Sequence, residues 1–177
     1  MRFPTLLTLV ATIAGGSVAL AQMPTYHLGK APNEEEIRAR DTVVGPRGKE
    51  LPRGKGTVKD GALLFAKKCV ACHGQNGQGT KLAPKIVGEE EVLSLPFATA
   101  IWSYIYNAMP RKVTNPGQRD ATLSPDDVYS LTAYILYKDN VIKEDDVMDA
   151  QSLPRVHMPN RSPRLDKMVP PEDDPKH

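Results

Sequence analysis

"AKKCVACHGQNGQG", residues 66–79, carries both cysteines of this 177-residue chain and one of its four histidines. Cys69 and Cys72 stand three positions apart, and His73 follows directly. Two thiols at this spacing serve a zinc clip, a redox dithiol, a disulfide or a covalent haem attachment. Structural zinc wants four closed ligands, and the sequence holds no second cysteine pair. A thioredoxin-like dithiol needs a βαβ setting that the sequence lacks. A disulfide suits an exported chain but leaves His73 without a role. C-x-x-C-H is the attachment signature of a c-type haem. Cys69 and Cys72, near a helix end, reach two vinyl groups of one porphyrin as thioethers, and His73 turns its imidazole under the iron. One covalent haem c is the expected cofactor.

Three segments around this motif carry helical signals. The first starts at a capping-box-like Thr57-Val58-Lys59-Asp60 and runs through GALLFAKKCVAC, with Ala62, Phe65, Ala66 and Cys69 on one face. The second starts at Pro96 and lines up Phe97, Ile101, Tyr104, Ile105 and Ala108 before Pro110 stops it. The third has the fullest start, Ser124-Pro125-Asp126-Asp127, and its inner face is Val128, Leu131, Thr132 and Ile135, ending near Lys138. Asn33 and Glu34 to Glu36 also suit a short helix start. No alternating strand of convincing length appears, so the expected class is all-α with long loops. Three short helices in the 80 residues from Lys59 to Lys138, with a loop of more than 20 residues at Gly74–Leu95, bury too little apolar surface to be secure. A large apolar cofactor at the centre supplies the missing core.

A haem iron also needs its imidazole oriented. The nitrogen facing iron must be unprotonated while the other donates a hydrogen bond. The Pro84 carbonyl, in "KLAPKIVG", is well placed in sequence to accept it, although Pro84 also suits a plain loop-shaping role. For the sixth ligand, Met23, Met109, Met148, Met158 and Met168 compete with His27, His157 and His177. Met109 in "NAMPR" is the first choice, because Pro110 breaks the helix and presents the thioether on a loop. His157 is the runner-up. Trp102 and the tyrosines at 104, 106, 129, 134 and 137 are candidates for porphyrin contact, with Trp102 singled out as a propionate donor. The same rings also serve as core residues with a polar tip. Lys67, Lys68, Arg111 and Lys112 flank the motif or the ligand loop, as a solvated face or as a steering patch for an acidic partner.

Compartment and flanks complete the reading. Residues 1–21 combine Arg2, an apolar run near Leu6–Ile13 and the small-residue site Ala19-Leu20-Ala21, a secretory signal peptide cleaved after Ala21. The expected location is therefore the periplasm, with no stable membrane insertion, since the apolar run is too short and Gly-rich for a spanning helix. Without Arg2 the basic residues number 22 against 21 acidic, and no basic stripe points to nucleic acid. Residues 22–56 read as an extended N-terminal arm, 57–140 as the helical domain and 141–177 as a Pro-rich C-terminal arm. Six of the 16 prolines fall in Gln151–His177, which argues against regular structure there. Extended arms lose much conformational entropy on ordering, so they are expected to lie across the helical domain or a partner.

With Gly61, Phe65, CVACH, "LAPKIVG", "AMP" and "VYSLTAYILY" in this order, the chain resembles the class I cytochromes c over roughly Thr57–Asn140. The resemblance implies a small helical fold around one covalent haem, in which first and last helices cross, with His73 and Met109 as axial ligands. "LGKAPNEEEIRARDTVVGPRGKELPRGKGTVKDG" and "IKEDDVMDAQSLPRVHMPNR" are similar to the cytochrome subunits of sulfane and related sulfite dehydrogenases. That likeness implies single-electron transfer from a molybdenum-containing dehydrogenase subunit to a downstream acceptor. The sulfane dehydrogenase subunit carries two haems, whereas this chain has one CxxCH. A free-standing shuttle for another dehydrogenase or oxidase is the alternative, and an open-site haem enzyme or gas-binding protein a third. "NAMPR" argues against the third.

Overall fold

Thr57 opens the helix that leads into the C-x-x-C-H motif. Its extended backbone turns the hydroxyl onto the Asp60 N–H at 3.1 Å, satisfying one of the donors a helix start leaves over. The computed structural model describes residues 29–40, 42–88, 92–112, 114–120 and 123–169. The signal-peptide reading of 1–21 and the ligand candidates Met23, His27 and His177 lie outside these residues. The chain divides into two units, Met1–Glu34 and Glu35–His177. Residues 29–34 of the first are exposed, and the hydrophobic core belongs to the second.

In chain order the elements are α1 (Glu34–Arg40), β1 (Lys55–Thr57), α2 (Val58–Lys68), α3 (Val70–His73) and α4 (Ala98–Ala108). Then come β2 (Arg111–Lys112), β3 (Asn115–Arg119), α5 (Pro125–Lys138) and β4 (Val147–Asp149), and after them a 3-10 turn (Leu153–Arg155) and α6 (Pro163–Asp166). Helix α5 starts as its sequence dictates. The Ser124 hydroxyl accepts the Asp127 N–H at 3.2 Å, and Asp127 accepts the Ser124 N–H at 2.8 Å. Helix α4 begins two residues later than Pro96, because Phe97 takes extended backbone and becomes the cap. The first predicted segment is two helices, α2 and α3, divided at Cys69.

Helices α2 and α5 cross at small residues. A Cβ on Gly61 would overlap the Ser130 carbonyl, and one on Gly56 would overlap the Ser130 amide, so both backbones lie directly against α5. Phe65 then packs its ring on Tyr134, centroids 5.1 Å apart. Helix α4 meets α5 through Trp102 and Tyr129, centroids 5.5 Å apart, while Trp102 also stacks on Tyr106 at 4.8 Å.

Strands exist where alternation gave no sign of them. β1 pairs antiparallel with β4, Thr57 facing Val147, and β2 pairs with β3 as a bulged hairpin. Strands of two to five residues are too short for a period of two to register. The tail also departs from the expectation of no regular structure. Pro154 and Pro163 stand in the opening turn of the 3-10 turn and of α6, where the missing N–H leaves no bond unmade.

Both flanks pack on α4 and α5. The Val44 N–H donates to the Ser103 hydroxyl at 3.2 Å, Asn107 donates to the Thr42 carbonyl at 2.8 Å, and the Tyr129 hydroxyl donates to the Pro52 carbonyl at 2.9 Å. Val44, Leu51, Leu153 and Met158 are buried with the helices. Arg161, buried in the C-terminal flank, donates to Asp166 at 2.8 Å, to the Val156 carbonyl at 3.0 Å and to His157 Nδ1 at 3.0 Å. No helix among the described residues is long and apolar enough to cross a membrane.

The corner after β4 yields a pH prediction. Burial alone pushes the Asp149 carboxyl up, but hydrogen bonds from Ser152 and Gln151, with the charge of Arg155, outweigh it and hold the group below its ordinary value. A carboxyl lowered on folding contributes stability above its unfolded pKa of about 3.9, and loses it as pH falls through the folded value. Thermal melts are therefore expected to show no Asp149 contribution to slope from neutral pH down to about 5, and a steepening loss below about 4. Asp149→Asn, which still accepts both N–H groups, should flatten part of that acid limb. An unchanged limb in the variant refutes the assignment.

Candidate functional site

The motif sits at a helix junction held by its own backbone. The Cys69 N–H donates to the Phe65 carbonyl at 2.9 Å, closing α2, and the Cys69 carbonyl accepts the His73 N–H at 2.9 Å, starting the next turn. Cys69, Cys72 and His73 thereby reach one cleft. Burial pushes the Cys69 thiol up to about 11, with the neighbouring Cys72 adding to it and Lys68 opposing. A thiol held that far protonated makes Cys69 a poor attacking thiolate. No cluster of three or more His, Cys, Asp or Glu able to hold a metal ion exists among the described residues.

The loop after the motif folds back on it. The Gly79 N–H donates to the His73 carbonyl at 2.8 Å, and the Thr80 hydroxyl donates to the Cys72 carbonyl at 2.5 Å. This brings the Pro84 carbonyl to 2.9 Å from His73 Nδ1. A carbonyl only accepts, so Nδ1 carries the proton and Nε2 presents its lone pair. The imidazole is thus held in the tautomer that a metal requires.

Opposite elements complete the cleft, about 890 Å³ of space including its open mouth. Phe65 of α2, Ile105 of α4 and Leu131 and Ile135 of α5 give it an apolar lining, and Leu82, Ala83 and Ile86 line it from the loop. Met109 lines it too. The Met109 N–H donates to the Ile105 carbonyl at 3.0 Å as the last bond of α4, and Met109 itself is extended. Beyond it the Asp120 N–H donates to the Pro110 carbonyl at 2.7 Å, tying the end of the β2–β3 hairpin to the methionine's neighbour. Lys68, Arg111 and Lys112 also line the cleft and are exposed.

The other ligand candidates lie elsewhere. Met148 is buried in β4 opposite Gly56, Met158 is buried in the C-terminal flank, Met168 is exposed, and His157 accepts from Arg161. Trp102 and the tyrosines are not part of the described cleft lining. Their helical phase turns Trp102 toward Tyr106 and Tyr129, and leaves Tyr104 exposed. The Trp102 indole N–H is nonetheless buried with no acceptor among the described residues. Asp139 makes a contact the sequence did not reveal. Its Oδ1 accepts the Gly88 N–H at 2.5 Å, holding the loop after the motif at Gly88. An acid at a helix end reads from sequence as a solvated residue.

The cleft therefore brings together two thiols, an oriented imidazole and a thioether in an apolar lining. The cytochrome c family pattern matches residues 58–138. Among solved structures, the chain is similar to sulfane dehydrogenase SoxCD from Paracoccus pantotrophus, with 32% identity and a TM-score of 0.61, covering 77% of this chain and 70% of that one. Thiosulfate dehydrogenase TsdBA from Marichromatium purpuratum matches at 23% identity and a TM-score of 0.35, over 48% of this chain and 20% of that one. Cytochrome CL from Methylophaga aminisulfidivorans matches at 18% identity with the same TM-score, over 68% and 81% of the two chains. No curated protein is a match to the chain.

Proposed function

This chain belongs to the cytochrome c family and carries one covalent haem c, and we propose that it passes single electrons from a molybdenum-containing sulfur-compound dehydrogenase to a downstream acceptor in the periplasm. The observation that carries the reading is the placing of His73 and Met109 in the lining of one cleft with both motif cysteines. In this arrangement Cys69 and Cys72 would hold the porphyrin by thioethers, His73 would offer Nε2 and Met109 its sulfur. When bound, the haem iron supplies a one-electron centre whose potential follows its axial ligands and their hydrogen bonds. The Pro84 carbonyl holds the His73 ring in place, and the apolar lining would keep water from the iron. The Trp102 N–H lies outside the described cleft lining but has no acceptor among the described residues, which leaves it open to a propionate that extends beyond the cleft.

Similarity to a sulfane dehydrogenase at 32% identity supports a sulfur-compound dehydrogenase as electron donor. The signal-peptide pattern of residues 1–21 supports export to the periplasm. A six-coordinate carrier and an open-site enzyme separate on ligand entry. The reduced wild-type protein is expected to bind carbon monoxide slowly or not at all. Met109→Ala should open the iron to it, abolish the weak long-wavelength charge-transfer band of ferric His/Met ligation and lower the potential. Ready carbon monoxide binding by the wild type refutes the carrier reading. Retention of that band in Met109→Ala refutes the ligand assignment.

A further inference from the structure

Helix α5 ends in a manner that makes no use of the side chain at its last position. The Val141 N–H donates to the Leu136 carbonyl at 2.9 Å and the Asn140 N–H to the Tyr137 carbonyl at 2.9 Å, with Asn140 left-handed at φ 58°. This termination satisfies the helix carbonyls by backbone alone. Asp139 is the C-cap residue, where a carboxylate meets the negative end of the helix dipole. Its Oδ2 is buried without a hydrogen-bond partner among the described residues. Local structure thus gives no reason for an acid here, and an unpaired buried carboxylate oxygen weakens a fold.

The reason lies across the molecule. Oδ1 of Asp139 accepts the Gly88 N–H at 2.5 Å, joining α5 to the loop that began at Gly74. That loop is tied to the motif at its near end through Gly79 and Thr80, and closed on itself by the Ile86 N–H donating to the Gly77 carbonyl at 2.8 Å. Pro84, whose carbonyl accepts from His73 Nδ1, lies between the two ties. Lys85, next in sequence, and Lys138 supply positive charge toward the same carboxylate. We infer that Asp139 is a positioning residue for His73: by anchoring Gly88 it sets the Pro84 carbonyl against the imidazole. The inference rests on His73 as the iron's ligand.

The hydrogen bond from His73 lends its ring electron density and favours the ferric state. Loosening the loop weakens that bond, so the potential rises. The test compares wild-type, Asp139→Ala and Asp139→Asn holoproteins. Asn retains an acceptor oxygen and drops the charge. Asp139→Ala is expected to raise the midpoint potential and to speed exchange of the His73 Nδ1 proton in the reduced protein by roughly tenfold, the loss of about one hydrogen bond. Asp139→Asn should restore both readouts close to wild type. An Ala variant with unchanged potential and exchange overturns the inference, as does an Asn variant that shifts as far as Ala. If the Ala variant yields no holoprotein, exchange in the wild type decides. The Gly88 amide and the His73 Nδ1 proton are expected to open together as denaturant is added, and independent opening overturns the inference. Failure of the ligand reading shows itself separately, as a low-spin spectrum that survives His73→Ala.

Discussion

Acid–acetone extraction and denaturant are expected to leave the haem on the polypeptide, because two thioethers do not depend on the fold that brought the thiols together. Both cysteines line the same cleft and sit one helical turn apart, with the Cys72 N–H donating to the Cys69 carbonyl at 3.1 Å. Removing one thiol by Cys69→Ala or Cys72→Ala leaves a single thioether and should cut the yield of holoprotein, since the apolar cleft depends on the porphyrin to fill it. The double variant should release all its haem to the solvent. Extraction of all the haem from the wild type refutes covalent attachment. It would return the two cysteines to the disulfide reading.

Gly61→Val is expected to have an effect of similar size on the fold itself. The glycine's α-carbon faces the Ser130 carbonyl of α5, so a side chain there meets backbone rather than a movable side chain. Alanine in a helix interior gains about 1 kcal/mol over glycine in propensity. Overpacking against it costs about 1–3 kcal/mol, at the upper end where the obstacle is a helix backbone. A net loss of about 2 kcal/mol is expected for Gly61→Ala, and about 4 kcal/mol for the bulkier valine, a large share of a domain's stability. Guanidinium unfolding of the holoproteins, followed by haem absorbance, measures both. A Gly61→Val midpoint equal to that of the wild type would show that α2 and α5 have room to part.

Local chemistry was the legible portion of this chain. The Ser124–Asp127 box, the Thr57 cap and the Pro110 stop act within a few residues, and all three mark helix boundaries in the structure. The C-x-x-C-H spacing likewise is a statement about one helix turn. What depended on distant partners was not legible. Val44 and Leu51 are buried against elements far along the chain, yet neither belongs to a periodic stripe. Three-residue strands from opposite flanks leave no alternation to read. Trp102 illustrates the intermediate case: its burial followed from its type, but its neighbours Tyr106 and Tyr129 are fixed by helix phase and crossing.

The pairing of β1 with β4 also bears on time. Lys55–Thr57 and Val147–Asp149 enclose the whole stretch that holds the motif, the loop and the ligand-bearing helices. Joining strands so far apart requires the intervening chain to be closed first, whereas α2 and α3 need only neighbours in sequence. A contact made after the folding barrier has been crossed does little to hasten folding and slows the reverse step. A clasp closed late in this way would act as a brake on opening, setting how long an assembled molecule survives, while the helices behind it set how quickly one forms.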